Sequence, residues 1–113
     1  MSTEACSWCR ASVPETDGFR LLDAVHRRHA VFCRLEHVVP WVMQGGAWTG
    51  GSGLPSADPG LGLGRCAECG DELGDRRLLL VRHRAQHRIG DAFCGLDHLQ
   101  AWAKAGGRFR AGA

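Results

Sequence analysis

No stretch of this 113-residue chain stays apolar for long. The longest unbroken run of large aliphatic residues is Leu78-Leu79-Leu80-Val81, far short of the roughly 20 residues that span a bilayer. The opening residues, Met1-Ser2-Thr3-Glu4-Ala5-Cys6, supply neither a basic n-region nor an apolar h-region, and a cysteine falls where a signal peptide would have its core. These absences argue against membrane insertion and secretion, and the expectation is a soluble protein of a reducing cytoplasm. Lysine is nearly missing, since Lys104 is the one cation that is not arginine. A phosphate-binding glycine loop is missing too: Gly60-x-Gly62-x-Gly64 is followed by a cysteine pair and has no strand-to-helix context.

What the chain does have is a ligand pattern written twice. Cys6-x2-Cys9 is followed by Phe32-Cys33-x3-His37, and Cys66-x2-Cys69 by Phe93-Cys94-x3-His98. The copies lie 60 residues apart at the cysteine pairs and 61 apart at the second half, and all six cysteines are used. Three soft thiolates and one imidazole are the ligand set of a closed tetrahedral Zn2+ site, so two zinc ions per chain are expected. Three disulfides would use the same cysteines, but disulfide pairing gives no reason for a histidine four residues after the last cysteine of both copies.

Charge changes once metal is counted. The formal net charge of +2 loses six units to thiolates and regains four from two Zn2+ ions, so the loaded protein is close to neutral. What survives is local: Arg76, Arg77, Arg82, Arg84 and Arg88 lie in a stretch with no carboxylate between Asp75 and Asp91. A solvated strand face is the plainer explanation of that cluster, and phosphate contact the sharper one.

The repeat also sets the organisation. Zinc-binding units are expected over 1–44 and 65–107, joined by a Gly-rich linker over 45–64 and followed by a flexible tail over 108–113. Units of about 40 residues are near the size at which a hydrophobic core alone rarely suffices, so each should need its metal to fold. In the second unit, Arg77 to Arg84 reads as a strand, with Leu78, Leu80, Arg82 and Arg84 on one face and Leu79, Val81 and His83 on the other. A turn at Arg84-Ala85-Gln86 leads to a return strand ending at Phe93. The first unit repeats this with Phe19 to Val25, a turn at Arg27-Arg28 and a return into Phe32. Leu96, Leu99, Trp102 and Ala103 then recur at helical spacing, with Gly106-Gly107 as the stop. Leu35, Val38, Val39 and Trp41 do the same in the first unit, but Pro40 predicts a kink or early break there.

A Cys-x2-Cys turn presents two thiolates to one metal, and Cys69-Gly70 has the glycine such a turn favours, whereas Cys9-Arg10 lacks it. Cys33 and His37, or Cys94 and His98, stand at i and i+4 and project from one helix face toward the same point. Knuckle, hairpin and helix in that order make the expected fold class small α+β, with two treble-clef-like units. The Phe-Cys-x3-ligand element resembles the zinc fingers of the TRASH and MYM type over about 40 residues in each half, though those families usually end on cysteine where this chain has His37 and His98. The resemblance implies structural zinc and roles in metal handling, ribosome association, or protein or nucleic-acid contact.

Further residues qualify this reading. His26 and His87 are related by the 61-residue offset and each precedes an arginine, so they are candidates to hydrogen-bond a ligand thiolate or orient the hairpin, with ordinary strand packing as the alternative. His29 and His83 lack a counterpart and are expected at the surface. Phe32, Phe93, Trp41 and Trp102 are expected to close each core, while Trp8 and Trp48 have no repeat partner. Four protein ligands per site leave no open position for a catalytic water, so no enzyme is expected. The leading function is a protein-interaction adaptor. The alternatives are nucleic-acid binding through Arg76, Arg77, Arg82, Arg84 and Arg88, helped by Arg108 and Arg110, and metal sensing or delivery.

Overall fold

The structure, a computed structural model, describes residues 3–14, 16–23, 26–50, 65–73, 78–85 and 87–107. Strands β1 (Thr3–Ala5) and β2 (Ser12–Pro14) pair around the first Cys-x2-Cys turn. Strands β3 (Phe19–Asp23) and β4 (Arg28–Phe32) form the first hairpin. A 3-10 turn (Leu35–His37), helix α1 (Val38–Met43) and the short strand β5 (Thr49–Gly50) follow. The second half contributes strands β6 (Leu78–Arg84) and β7 (His87–Phe93) and helix α2 (Leu96–Lys104). Among the described residues the result is a small α+β structure with two sheets and two helices.

Both predicted hairpins are present, with the first turn placed at His26–Arg27, one residue early, and β4 starting at Arg28. The Asp23 carboxylate explains this boundary, because it accepts hydrogen bonds from the His26 backbone N–H at 3.4 Å and from Arg28 Nε at 2.9 Å, drawing the chain back across the turn.

The hairpins join into one five-stranded sheet of order β5-β4-β3-β6-β7. Strands β3 and β6 run antiparallel with Phe19 opposite Arg82, Leu21 opposite Leu80 and Asp23 opposite Leu78. In their own hairpins Phe19 faces Phe32 and Leu78 faces Phe93, so the register is symmetric about the Leu21–Leu80 pair. Strand alternation then sends Leu21, Ala30, Phe32, Leu78, Leu80 and Phe93 to one face, where they bury against Val38, Trp41, Leu99 and Trp102 of the two helices. Leu79, Val81 and Ala92 pack on the opposite face. A central strand covered on both sides reads as a continuous apolar run, which is why Leu78 to Val81 does not alternate.

Each helix core is closed as expected, with Phe32 edge-on to Trp41 at 5.2 Å and Phe93 to Trp102 at 5.0 Å. Trp48 packs edge-on to Trp41 at 5.0 Å, and the Arg28 guanidinium lies 4.5 Å from its ring centre. The expected linker thus begins with ordered residues: Thr49 and Gly50 pair with His29 and Arg28, while 51–64 lie outside the described residues, as does the tail at 108–113.

Two expectations need correction. Pro40 does not break its helix, which runs on to Met43, because it is the third residue of α1, within the first turn, where an amide proton would have no intrahelical partner. The adjustment falls upstream: Val38 N–H bonds to Leu35 O in a 3-10 turn, where the second half is α-helical from Leu96. His29 and His83 are buried, at 6% and 1% exposure. His29 Nε2 lies 2.8 Å from Glu4 Oε2, so β1 covers it, and the His83 backbone bonds to Gly18 O at 2.8 Å, across the two halves. No helix among the described residues is long and apolar enough to cross a membrane.

Candidate metal centres

The two Cys-x2-Cys turns have one geometry. Cys6 N–H donates to Ala11 O and Arg10 N–H to Cys6 O, and in the second half Cys66 N–H donates to Asp71 O and Gly70 N–H to Cys66 O. The residue after the second cysteine is left-handed in both, with φ 80° at Gly70 and φ 70° at Arg10. Arginine therefore takes a conformation that glycine adopts without steric cost. Each turn is tied to the edge of a hairpin, by Ser7 N–H to Val31 O at 2.6 Å and by Ala67 N–H to Ala92 O at 2.8 Å. These bonds set each cysteine pair over the end of its return strand, where the next two ligands begin.

Four side chains converge in each half: Cys6, Cys9, Cys33 and His37, then Cys66, Cys69, Cys94 and His98, with the ligand atoms of each group within 4.8 Å of one another. All six cysteines are free thiols. In the first group Cys6 Sγ lies 3.6 Å from His37 Nδ1, Cys33 Sγ 3.4 Å from the same nitrogen and Cys9 Sγ 3.5 Å from Cys33 Sγ. In the second, Cys66 Sγ to His98 Nδ1 is 3.5 Å and Cys69 Sγ to Cys94 Sγ 3.9 Å. Tetrahedral bonds of about 2.3 Å to sulfur and 2.0 Å to nitrogen put ligand atoms about 3.5–3.8 Å apart, so these edges suit a zinc ion. Cys94 Sγ to His98 Nδ1, at 2.7 Å, is the one short edge and would open around a metal. Three thiolates and one imidazole, donating through Nδ1 in both groups, are soft-to-borderline donors that fit Zn2+.

The thiols within each group differ. Burial raises the Cys6 thiol, but the backbone N–H groups of Cys9, Cys33 and Trp8, with the His37 imidazole, outweigh it and bring Cys6 down from 9.0 to about 6. Cys66 is brought to about 6 in the same way, by Cys69, Cys94, Glu68 and His98. Cys33 and Cys94 are pushed up to about 11, first by burial and then by the sulfurs beside them. One thiolate in each site is thus prepared by the backbone, whereas Cys33 and Cys94 need the positive charge of a metal to ionise at neutral pH.

The other candidate residues fall elsewhere. His26 is outside both ligand groups; its Nδ1 lies 2.8 Å from Asp23 Oδ2 and its side chain is 63% exposed. Together with Asp23 and Arg28 it lines a cleft of about 530 Å3 that is also lined by Cys94, a candidate ligand of the opposite half. Arg82 and Arg84 line a second cleft, of about 630 Å3, with Cys33 of the first half. Arg82 is half-buried and Arg84 exposed. Arg76 and Arg77 lie outside the described residues, as do the side chains of His87 and Arg88. Glu36 and Asp97 are exposed in the first turns of their helices. Trp8, on the first cysteine turn, is 40% exposed. The sequence leaves open whether the two halves pack together, and no local spacing signals that a ligand cysteine of one half shares a cleft with the hairpin of the other.

Comparison of the chain with protein-family models, curated proteins and solved structures finds no match. The functional reading therefore rests on the two ligand groups.

Proposed function

We propose that the protein is a two-zinc adaptor: each Cys3His group holds one structural Zn2+, each half is a treble-clef unit, and the joined body presents a surface to another protein. The observation that carries the metal reading is the convergence of four protein donors in each half, their ligand atoms within 4.8 Å of one another. Four ligands fill the coordination sphere, so water activation has no position and catalysis at the metal is disfavoured. Metal analysis tests this directly. Two zinc ions per chain are expected, and one or none overturns it.

Protein contact is favoured by the near-neutral loaded charge and by the exposed Trp8 and Met43, at 40% and 67% exposure. A partner captured by the wild type should be lost with Trp8→Ser, and equal capture by both would remove this surface from the reading. Nucleic-acid binding has less behind it, since Arg82 is half-buried and lines a cleft with Arg84 and Cys33. Retention on random RNA or DNA at low salt would revive that reading. Metal sensing or delivery draws on a different observation, that Cys69 and Cys94 are both exposed. Exchange of zinc from the second site within minutes would favour it, and exchange over hours would count against it.

A further inference from the structure

The two ligand groups sit on hairpins that share one sheet, and a ligand cysteine of each group lines a cleft together with residues of the other half. We propose that the two metal centres, each with its four ligands in its own half, bind as a coupled pair through the shared sheet and core, so that the protein takes up its two ions cooperatively. This inference rests on the structural-zinc reading above.

Three observations carry it. Strands β3 and β6 form the middle of a single sheet, and beyond their ladder His83 N–H bonds to Gly18 O and Ala85 N–H to Thr16 O, both at 2.8 Å. The second hairpin is thereby stitched to the segment before β3. The hydrophobic core is also shared: Cys66, a ligand of the second site, is fully buried in the same cluster as Leu21, Phe32 and Trp41 of the first half. Finally, each cleft brings the last cysteine of one site against the hairpin of the other half, Cys33 with Arg82 and Arg84, and Cys94 with His26 and Arg28.

Charge gives the contact a direction. A zinc ion with three thiolates and a neutral imidazole carries one net negative charge, which is costly to hold at a half-buried position without a counter-charge. Arg82 and Arg84 line the cleft at Cys33 of the first site, and Arg28, paired with Asp23, lines the cleft at Cys94 of the second. Carboxylates lie in the same clefts, Asp17 in one and Asp23 and Glu72 in the other. Asp23 is engaged by His26 and Arg28, Glu72 lies 3.4 Å from Arg65, and Asp17 Oδ1 accepts the Gly18 N–H. A half that lacks its metal loses the metal's bridge between cysteine turn and hairpin and is left with the backbone bonds, Ser7 N–H to Val31 O or Ala67 N–H to Ala92 O. It then no longer holds its cations against the neighbouring centre, and the shared core loosens for both. Coupling free energies between sites typically change affinity by about 5–150-fold.

The test uses the full chain. Metal-free protein receives one equivalent of Zn2+ and the species are counted by native mass spectrometry. Two equal and independent sites would leave about half of the molecules with a single ion, by simple binomial statistics, and unequal independent sites would leave more. Coupling predicts mainly metal-free and two-metal molecules, with the single-ion form well below half. A single-ion population of half or more overturns the proposal. As a second measurement, Cys69→Ser should weaken Co2+ binding at the first site, read from its thiolate absorption, by at least about fivefold, and an unchanged affinity overturns the proposal. Failure to bind any metal would instead defeat the structural-zinc reading itself.

Discussion

Leu21 and Leu80 face each other across the centre of the five-stranded sheet, both fully buried, and the pairing of the two hairpins is symmetric about them. Their contact joins the two halves and sits under both helices. Leu80→Ala leaves a cavity that neither hairpin can close without giving up the other. Such core truncations cost about 2–5 kcal/mol. Urea denaturation of the zinc-loaded protein should show a loss in that range, and a loss below about 1 kcal/mol, the size of a typical surface change, would contradict the shared core.

Pro40→Ala should be close to neutral. A proline in a helix interior costs about 3 kcal/mol relative to alanine, but Pro40 occupies the first turn of α1 and displaces no intrahelical donor. Removing it lets the 3-10 turn over Leu35–His37 relax toward the α-helix that starts at Leu96 in the second half. The expected change, by thermal unfolding, is within about 1 kcal/mol and of stabilising sign. Destabilisation by more than that would mean that the 3-10 turn is needed to aim His37 at Cys6 and Cys33.

The cysteine turns allow a matched pair of substitutions. Arg10 and Gly70 hold the same left-handed position, at φ 70° and 80°. Nothing lies within 4 Å of a Cβ built on Gly70, so Gly70→Ala is opposed by backbone conformation alone. It should cost about 1 kcal/mol, and Arg10→Gly should return up to about the same amount. Melting temperatures of the two zinc-loaded variants should therefore move in opposite directions.

Zinc affinity should fall as pH falls. Cys33 and Cys94, near 11 without metal, keep their protons at neutral pH and must release them on binding. Each released proton makes the apparent affinity fall about tenfold per pH unit. Below about 6 the dependence steepens, because Cys6 and Cys66 then also protonate. The metal-free protein follows a separate rule. Cys6 and Cys66 are lowered from 9.0 to about 6 on folding, so their contribution to stability is present above 9 and is lost as pH falls through 6. Cys33 and Cys94 are raised, so theirs is present below 9 and is lost as pH rises through 11. Chelator competition at several pH values checks the first trend, and denaturation of metal-free protein the second.

Local spacing made the ligands legible. The repeated Cys-x2-Cys and Cys-x3-His spacings named the eight candidate ligands before any fold was known. Contrary to expectation, Cys33 and Cys94 do not stand on the helix with His37 and His98: each lies before an extended N-cap residue, Arg34 or Gly95. The hairpins and α2 were legible for the same reason, since alternation around Leu78 to Arg84 and helical spacing around Leu96 to Trp102 are short-range signals. Proline 40 was recognised but misjudged, because its effect depends on where the helix begins, and that boundary moved by a 3-10 turn.

Residue types and spacings by themselves determined which side chains are candidate metal ligands and where the two hairpins and α2 lie, but not β1, β2 or β5. Tertiary structure alone decided that β3 pairs with β6, that β1 covers His29, and that Arg82 and Arg84 stand beside Cys33. A strand records which of its faces is apolar but not which distant strand it joins. The partner is selected only when the whole chain buries its apolar surface at once.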